Sequence, residues 1–335
     1  MQDSVIQLGH GGGGRLAREL IRDEILPRFG DGPLSGLPDG ATLPAPPAEM
    51  VFTTDSFVVR PLEFPGGNIG CLSIHGTVND LAVCGAAPRW LSLGLIIEEG
   101  LPVALLRRML DSVRAAADQC GVTVATGDTK VVGRGQADGL FINTAGIGEK
   151  LPGFDLAPER VESGDAVLVS GPVGDHGAAV LASRETIAVA AGPASDTAPV
   201  HRLVGAIQPV AAQVRFMRDP TRGGLAAVLN EIVEDRPVGI AVSEGAVPLS
   251  AGTGAVCELL GLDPLHLPSE GRVVLVCAAT RADEILRRWR GLPEGAGARR
   301  IGTVTSAPGR VVLETVVGGT RLVDVPRGEL LPRIC

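Results

Sequence analysis

Apolar and polar positions along this chain follow two periods, and their order sketches the elements. In "LPVALLRRMLDSVRAAADQCG" the apolar residues recur at helical spacing, with Val103, Leu106, Leu110, Val113 and Ala117 on one face. The stretch predicts an amphipathic helix capped by Gly121. "RLARELIRDEIL" has the same period, with Pro27 near its end, and "TVNDLAVCGAAP" also reads as helical. "MVFTTDSFVV", "WLSLGLIIEE", "VTVATGDTKVV" and "LFINTAGIGE" read as strands. Between the first helix and the first strand, "GDGPLSGLPDGATLPAPPAEM" has no period and reads as a linker. "PGFDLAPERVESGD" is a second connector. Beyond it come a strand "AVLVSGP", a glycine-opened helix "GDHGAAVLA" and a helix beginning in "RDPTRGGLAAVLNEIVE". A buried strand "GRVVLVCAA", a helix "RADEILRRWRGL" and two strands, "RVVLETV" and "TRLVDV", follow. This mixed order predicts an α/β (mixed α+β) chain. Its parts are a glycine-rich arm and helix over 1–34, an α/β domain over 35–154, another over 155–325, and a mobile tail over 326–335.

Length agrees with that division, since 335 residues exceed what one small core usually organises. No apolar run reaches a membrane span, and "MQDSVIQLGHGGGG" lacks the basic and apolar regions of a secretory signal. A net charge of −8 argues against nucleic acid as the main partner. Aromatics are only 3% and tyrosine is absent, which argues against recognition by stacking. Five cysteines, Cys71, Cys84, Cys120, Cys257 and Cys277, lie in apolar or helix-like stretches without a C-x-x-C pair. They read as small buried hydrophobes of a cytoplasmic protein. Cys335, the last residue, has no such structural reason, and an exposed thiol is an oxidation liability.

Three sets of residues could carry chemistry. Gly9, Gly11 and Gly14 satisfy G-x-G-x-x-G, but the second strand that a dinucleotide fold needs does not follow. A glycine flap folding over phosphates or an unstructured arm fits better. Asp55, Asp80, Asp128 and Asp219 stand at strand ends or in first helical turns, where Mg²⁺ with a nucleotide would use them. Capping and turn roles would also explain such aspartates. Lys130 lies two residues beyond Asp128, as a charge for phosphates or as a solvated strand-end lysine. His176 in "GDHG" reads as a donor, an acid or a structural hydrogen-bonder, and Glu270 in "LPSEGR" as a base or a solvated loop carboxylate.

Taken in order, "HGGGG", "TTDSFVV", "HGTVNDLAVCGA", "TGDTKVV", "GDHG", "RDPTRGG", "SEGR" and the terminal "PRIC" form a specific set. The set resembles the HypE family of nickel–iron hydrogenase maturation factors, over essentially the whole chain. That family belongs to the superfamily of aminoimidazole ribonucleotide synthetase and selenophosphate synthetase. The resemblance implies that superfamily's two-domain fold, with 35–154 binding ATP and pairing with a second copy in a homodimer. It implies that a carbamoyltransferase, HypF, loads a carboxamide on Cys335, which this chain dehydrates with ATP to a thiocyanate. The cyano group then passes to iron on a HypC–HypD scaffold, and neither nucleic acid nor membrane takes part. The resemblance further implies ATP contacts from Gly11, Gly12, Gly13, Gly14, Asn79, Thr129 and Lys130. Mg²⁺ contacts come from Asp55, Asp80, Asp128 and Asp219, and Lys130 and Glu270 lie beside the thiocarboxamide, with Glu270 as the base. From Pro326 onward the tail reaches at most about 33 Å. Its α-carboxylate should oppose thiolate formation at Cys335, with Arg333 partly offsetting it.

Overall fold

In the computed structural model the described residues are 4–11, 15–34, 40–45, 49–185, 192–325 and 333–335. Gly12, Gly13 and Gly14 of the expected flap, and Pro326 and Pro332 of the tail, lie outside them. The arm enters through helix α1 (Arg15–Leu20), passes a π-helical turn at Ile21–Ile25 and ends at Leu26–Phe29. Pro27 is accommodated because it falls in the first turn of that last segment, where its missing N–H costs no hydrogen bond.

The first domain is built on β1 (Met50–Phe57), β2 (Ala86–Glu98), β3 (Thr123–Val132) and β4 (Leu140–Lys150). The described residues order them β1-β4-β2-β3, with β2 and β3 parallel and the other pairs antiparallel. Helices α2 (Ile69–Val83) and α3 (Val103–Cys120) cover one face. The periodic face of α3 is buried as its spacing predicts, and Gly121 closes it with a left-handed conformation at φ 66°. α2 begins eight residues before the stretch that reads as helical, because the Asn68 side chain accepts from the Gly70 and Cys71 N–H groups. The end of that stretch, from Ala86, is strand instead. α2 packs so closely on β1 that a Cβ on Gly76 would stand 2.8 Å from the Phe57 ring.

The second domain is a seven-stranded sheet among the described residues, ordered β11-β10-β7-β9-β5-β8-β6. The strands are β5 (Ala166–Val169), β6 (Val214–Arg218), β7 (Gly239–Ser243), β8 (Val274–Cys277), β9 (Arg299–Thr305), β10 (Val311–Glu314) and β11 (Thr320–Leu322). Helices α4 (Asp175–Arg184), α5 (His201–Ile207), α6 (Gly224–Val233), α7 (Ala251–Leu260) and α8 (Ala282–Arg290) accompany it. Among the described residues no helix is long and apolar enough to cross a membrane.

The domains meet along α2. Asn79 donates its amide to the Ala198 and Glu270 carbonyls, both at 3.0 Å, and accepts from the Val200 N–H at 2.8 Å. Its side chain is committed to backbone groups of the second domain, so in this structure Asn79 clasps the two domains. Cysteine burial also differs from expectation. Cys120, Cys257 and Cys277 are buried, but Cys71 is only partly so and Cys84, just past the end of α2, is exposed. Cys335 is buried.

Candidate active site around the terminal cysteine

The last three residues run beside the segment after β1 as a short antiparallel partner. The Val58 N–H donates to the Cys335 carbonyl at 3.1 Å, and the Arg60 N–H to the Arg333 carbonyl at 3.3 Å. Arg184 also donates to the Arg333 carbonyl. Ile334 and Cys335 thereby join the core under α4. His176 on α4 is fully buried and fixes the middle of the tail. Its Nε2 donates to the Ile334 carbonyl at 2.6 Å, and Nδ1 accepts from Ser195 Oγ at 2.8 Å. Because a carbonyl can only accept, this pairing selects the Nε2–H tautomer. Burial holds the imidazole down to about 4, so it stays neutral at physiological pH. Of the readings open for His176, the structural hydrogen-bonder is the one observed. His176→Ala should release the tail, and Cys335 alkylation by iodoacetamide should then accelerate at least about tenfold while Cys120 stays protected. An unchanged Cys335 rate would mean that His176 does not hold the tail.

At the sulfur, burial and the nearby Glu270 carboxylate push the thiol up to about 12. The opposing cation is Arg222, whose Nε lies 3.3 Å from Sγ. Arg333, expected to offset the charge, instead pairs with Asp138 and stacks over Phe141 at 5.2 Å. Arg222 stands inside "DPTRGG", a motif read above only as a helix start and a mark of the family resemblance. The arginine within it was the available signal.

Glu270 is only 2% exposed, so the solvated-loop reading fails. Among the described residues its Oε1 has no hydrogen-bond partner. Burial first, then Asp219, Asp196, Asp55 and Asp80, raise its pKa well above the usual carboxylate range. The Glu270 backbone N–H donates to Asp196 at 3.0 Å and its carbonyl accepts from Asn79, which fixes the loop.

Asp55, Asp80 and Asp219 gather beside this acid. Thr53 Oγ1 donates to Asp80 at 3.0 Å. Burial, reinforced by Asp80, pushes Asp219 up to about 7. Asp80 is raised by burial and by Asp55, and Asp55 by burial against the pull of the Ser56 N–H and Arg222.

Asp128 is elsewhere. Strand pairing puts Asp55 in a row with Thr144 and Leu93, which are buried under the helices, and with Gly127 at the exposed edge strand. Asp128 shares the next row with Gly94, Asn143 and Ser56, on the uncovered face. Three strand spacings, about 14 Å, separate β1 from β3. Lys130 pairs with Asp128 at 2.7 Å and is exposed. Within one chain Lys130 is therefore not beside the thiol, contrary to expectation. Thr129 and Lys130 line a cavity of about 260 Å³ with Asp128, Gly11, Leu20, Phe29 and Leu95, beneath the N-terminal arm. Gly11 packs on β3 so closely that a Cβ would meet the Val131 nitrogen at 2.6 Å.

Two family models match the chain. The AIR synthase related protein N-terminal domain covers residues 38–149, and the corresponding C-terminal domain covers 162–314. The fold and its site thus define a two-domain protein of the AIR synthase related class. Carbamoyl dehydratase HypE of Rhodobacter capsulatus is 46% identical over 100% of this chain and 99% of its own. The crystal structure of hydrogenase maturation protein HypE in complex with ATP superposes with a TM-score of 0.94 at 43% identity, covering 98% of this chain and 99% of that one. HypE from a HypE–HypF complex superposes at 0.81 and 39% identity, covering 93% and 100%. The chain belongs to the HypE carbamoyl dehydratase family.

Proposed function

We infer that this chain dehydrates an S-carboxamide carried on its own Cys335 to a thiocyanate, using ATP, in the maturation of nickel–iron hydrogenase. The observation that carries the reading is the burial of Cys335, with the Arg222 guanidinium 3.3 Å from Sγ and the buried Glu270 carboxylate near enough to raise the thiol's pKa. Family membership supports it, as does the ATP bound to a close relative.

The chemistry follows from the substrate. An amide oxygen is a poor leaving group and must be converted into a better one. The carboxamide oxygen attacks the γ-phosphorus of ATP, an O–P bond forms, and the bond to ADP breaks. The nitrogen then gives up its two protons, the C–O bond breaks, phosphate leaves, and C≡N remains on sulfur. No redox step is involved. Glu270 takes an N–H proton as general base, its burial and neighbouring carboxylates raising its basicity above that of an ordinary carboxylate.

Mg²⁺ fits the donor set. Asp55, Asp80 and Asp219 are hard oxygen donors held together against burial and mutual repulsion. Among the described residues no three such side chains are close enough to hold an ion by themselves, so Mg²⁺ here would need phosphate oxygens of the nucleotide to complete its ligands. When bound, Mg²⁺ supplies charge neutralisation for the triphosphate. The thiol pKa near 12 in the docked tail makes it a weak nucleophile there, so loading by the HypF carbamoyltransferase belongs to an undocked tail. Transfer of the cyano group to a HypC–HypD iron scaffold would need the same release.

The uncovered sheet face carries exposed Met50, Phe52 and Ile96, and a homodimer would cover them. β1 and β3 are the two edges of this sheet among the described residues, so a second copy seated there would have to bring its own β3 edge, with Asp128 and Lys130, around the first copy's β1 edge to Asp55, reuniting the divided acids. Mixed subunits of Asp55→Asn and Asp128→Asn should recover about a quarter of wild-type turnover, because one site in each mixed dimer is intact. No recovery, or a monomeric sedimentation mass, would place each complete site within one chain. The reading as a whole is tested by the mass of the C-terminal peptide after loading with HypF, carbamoyl phosphate and ATP. A carboxamide that loses water only with fresh Mg-ATP supports it. An adduct that never does so leaves a passive carrier, and turnover without any adduct a small-molecule kinase or synthetase.

A further inference from the structure

We propose that Arg222 is a catalytic residue of the dehydration: with Glu270 it brackets the carboxamide on Cys335, donating to the oxygen while Glu270 accepts from the nitrogen. The proposal rests on the reading of Cys335 as the carboxamide carrier.

A carboxamide is a planar group with an acceptor at one end and donors at the other. The sulfur that carries it is flanked by the complementary pair. Arg222 has donors only and does not lose its proton in proteins, so it cannot act as a base. Glu270, when ionised, only accepts. Arg222 reaches Sγ at 3.3 Å, and Glu270 is close enough to perturb the thiol. Among the described residues the two do not form an ion pair with each other, and Oε1 of Glu270 remains unpartnered. A cation at hydrogen-bond distance from the sulfur, and a buried acid nearby that does not close on that cation, leave the amide's own hydrogen bonds to be made.

The backbone fixes this bracket. Gly223 and Gly224 follow Arg222 at φ 77° and 62°, conformations that side-chain-bearing residues rarely adopt. A Cβ on Gly224 would stand 2.6 Å from the carbonyl oxygens of Leu265 and Leu267. The Gly224 N–H donates to Thr221 at 2.8 Å, and the Ser269 N–H to Pro220 at 2.9 Å. The turn bearing Arg222 is thus hydrogen-bonded to the residue before Glu270, and the two side chains are carried by loops tied together at their backbones.

Charge gives the arginine its second task. As the carboxamide oxygen attacks phosphorus, negative charge spreads over the transferring phosphoryl group and then departs with phosphate. A planar guanidinium can hold the amide oxygen and a phosphoryl oxygen together, which an ammonium does less well. Arg222 also feels the Asp55 and Glu270 carboxylates, so its charge acts on the acids assigned to the metal as well as on the sulfur.

The test uses full-length wild type, Arg222→Gln and Arg222→Lys, each loaded with HypF, carbamoyl phosphate and ATP and then freed of nucleotide. Single-turnover water loss is followed by C-terminal peptide mass after fresh Mg-ATP, across a range of ATP concentrations. The expected result is equal loading, with a maximal rate about 10²–10³-fold lower in Arg222→Gln. Arg222→Lys should recover part of that loss, and the half-saturating ATP concentration should stay within about threefold. A maximal rate equal to wild type in Arg222→Gln would overturn the proposal, as would a defect removed entirely by more ATP. Should Arg222→Gln not fold, Arg222→Lys decides: a wild-type rate from the unforked cation overturns the bracket. Wild type that loads but never loses water would instead overturn the reading beneath the proposal.

Discussion

Cys335→Ser should fold, bind Mg-ATP as wild type does, and accept no carbamoyl group at its terminus. The cost to stability is small, because the tail is held mainly by groups other than the sulfur: the Val58 and Arg60 N–H groups, His176 and Ile334. The cost to function is complete. An alcohol is a far weaker nucleophile than a thiol at neutral pH, so carbamoyl transfer fails at its first step. Two measurements check this together: the mass of the C-terminal peptide after loading, and ATP-dependent phosphate release by the loaded sample. If carbamoyl-dependent phosphate release survives in Cys335→Ser, the substrate is a free small molecule and the buried thiol has another purpose.

Glu270→Gln carries the second large effect, and it separates loading from dehydration. The tail of this variant should be loaded normally, because carbamoyl transfer occurs with the tail released. Water loss should fall about 10²–10⁴-fold, the usual range for removing a general base. The pH profile adds a signed prediction. Burial and four neighbouring carboxylates raise the Glu270 pKa, so its base form becomes populated only above the ordinary carboxylate range. Wild-type single-turnover rates should therefore rise with pH through that raised pKa and then level off. The residual rate of Glu270→Gln should lack this limb. Folding stability takes the opposite sign: the raised pKa favours the folded state at low pH, and that contribution is lost as pH rises through the folded pKa. Glutamine abolishes the charge penalty, so the unliganded variant should melt higher than wild type at alkaline pH. A wild-type rate and profile in Glu270→Gln would assign the proton to another acceptor.

The legible and illegible parts of this chain differ for physical reasons. α3 could be read because one face of a long helix is buried and the other is wet, which imprints a period on the sequence. The first-domain strands were similarly visible, being eight or more residues long and rich in apolar and β-branched residues. The second domain was harder. Val214–Arg218, Gly239–Ser243 and Arg299–Thr305 are short strands, and α5 and α7 short helices, none marked by a distinct local period. They are fixed by neighbours distant in sequence. The acid cluster was visible as residue types but not as geometry. Whether Asp55 and Asp128 face the same side of a sheet depends on a register that no single strand encodes. Asn79 illustrates the same gap: it adjoins Asp80 in sequence, yet its amide is spent on backbone across the domain boundary. Cys84 follows an apolar helix and is exposed because it lies just beyond the buried turns. The terminal cysteine stood out by position. The partners that give it chemistry, Arg222 and Glu270, are contributed by two loops of the second domain.

The central claim is that the carboxamide oxygen leaves as phosphate. It is tested most directly by loading Cys335 from carbamoyl phosphate whose carbonyl bears the heavy isotope of oxygen, then adding unlabelled Mg-ATP. Phosphate released in a single turnover should carry the label, one heavy oxygen for each thiocyanate formed. Unlabelled phosphate, with the heavy oxygen recovered in water, would contradict the account: ATP would then be hydrolysed alongside the dehydration without ever activating the amide.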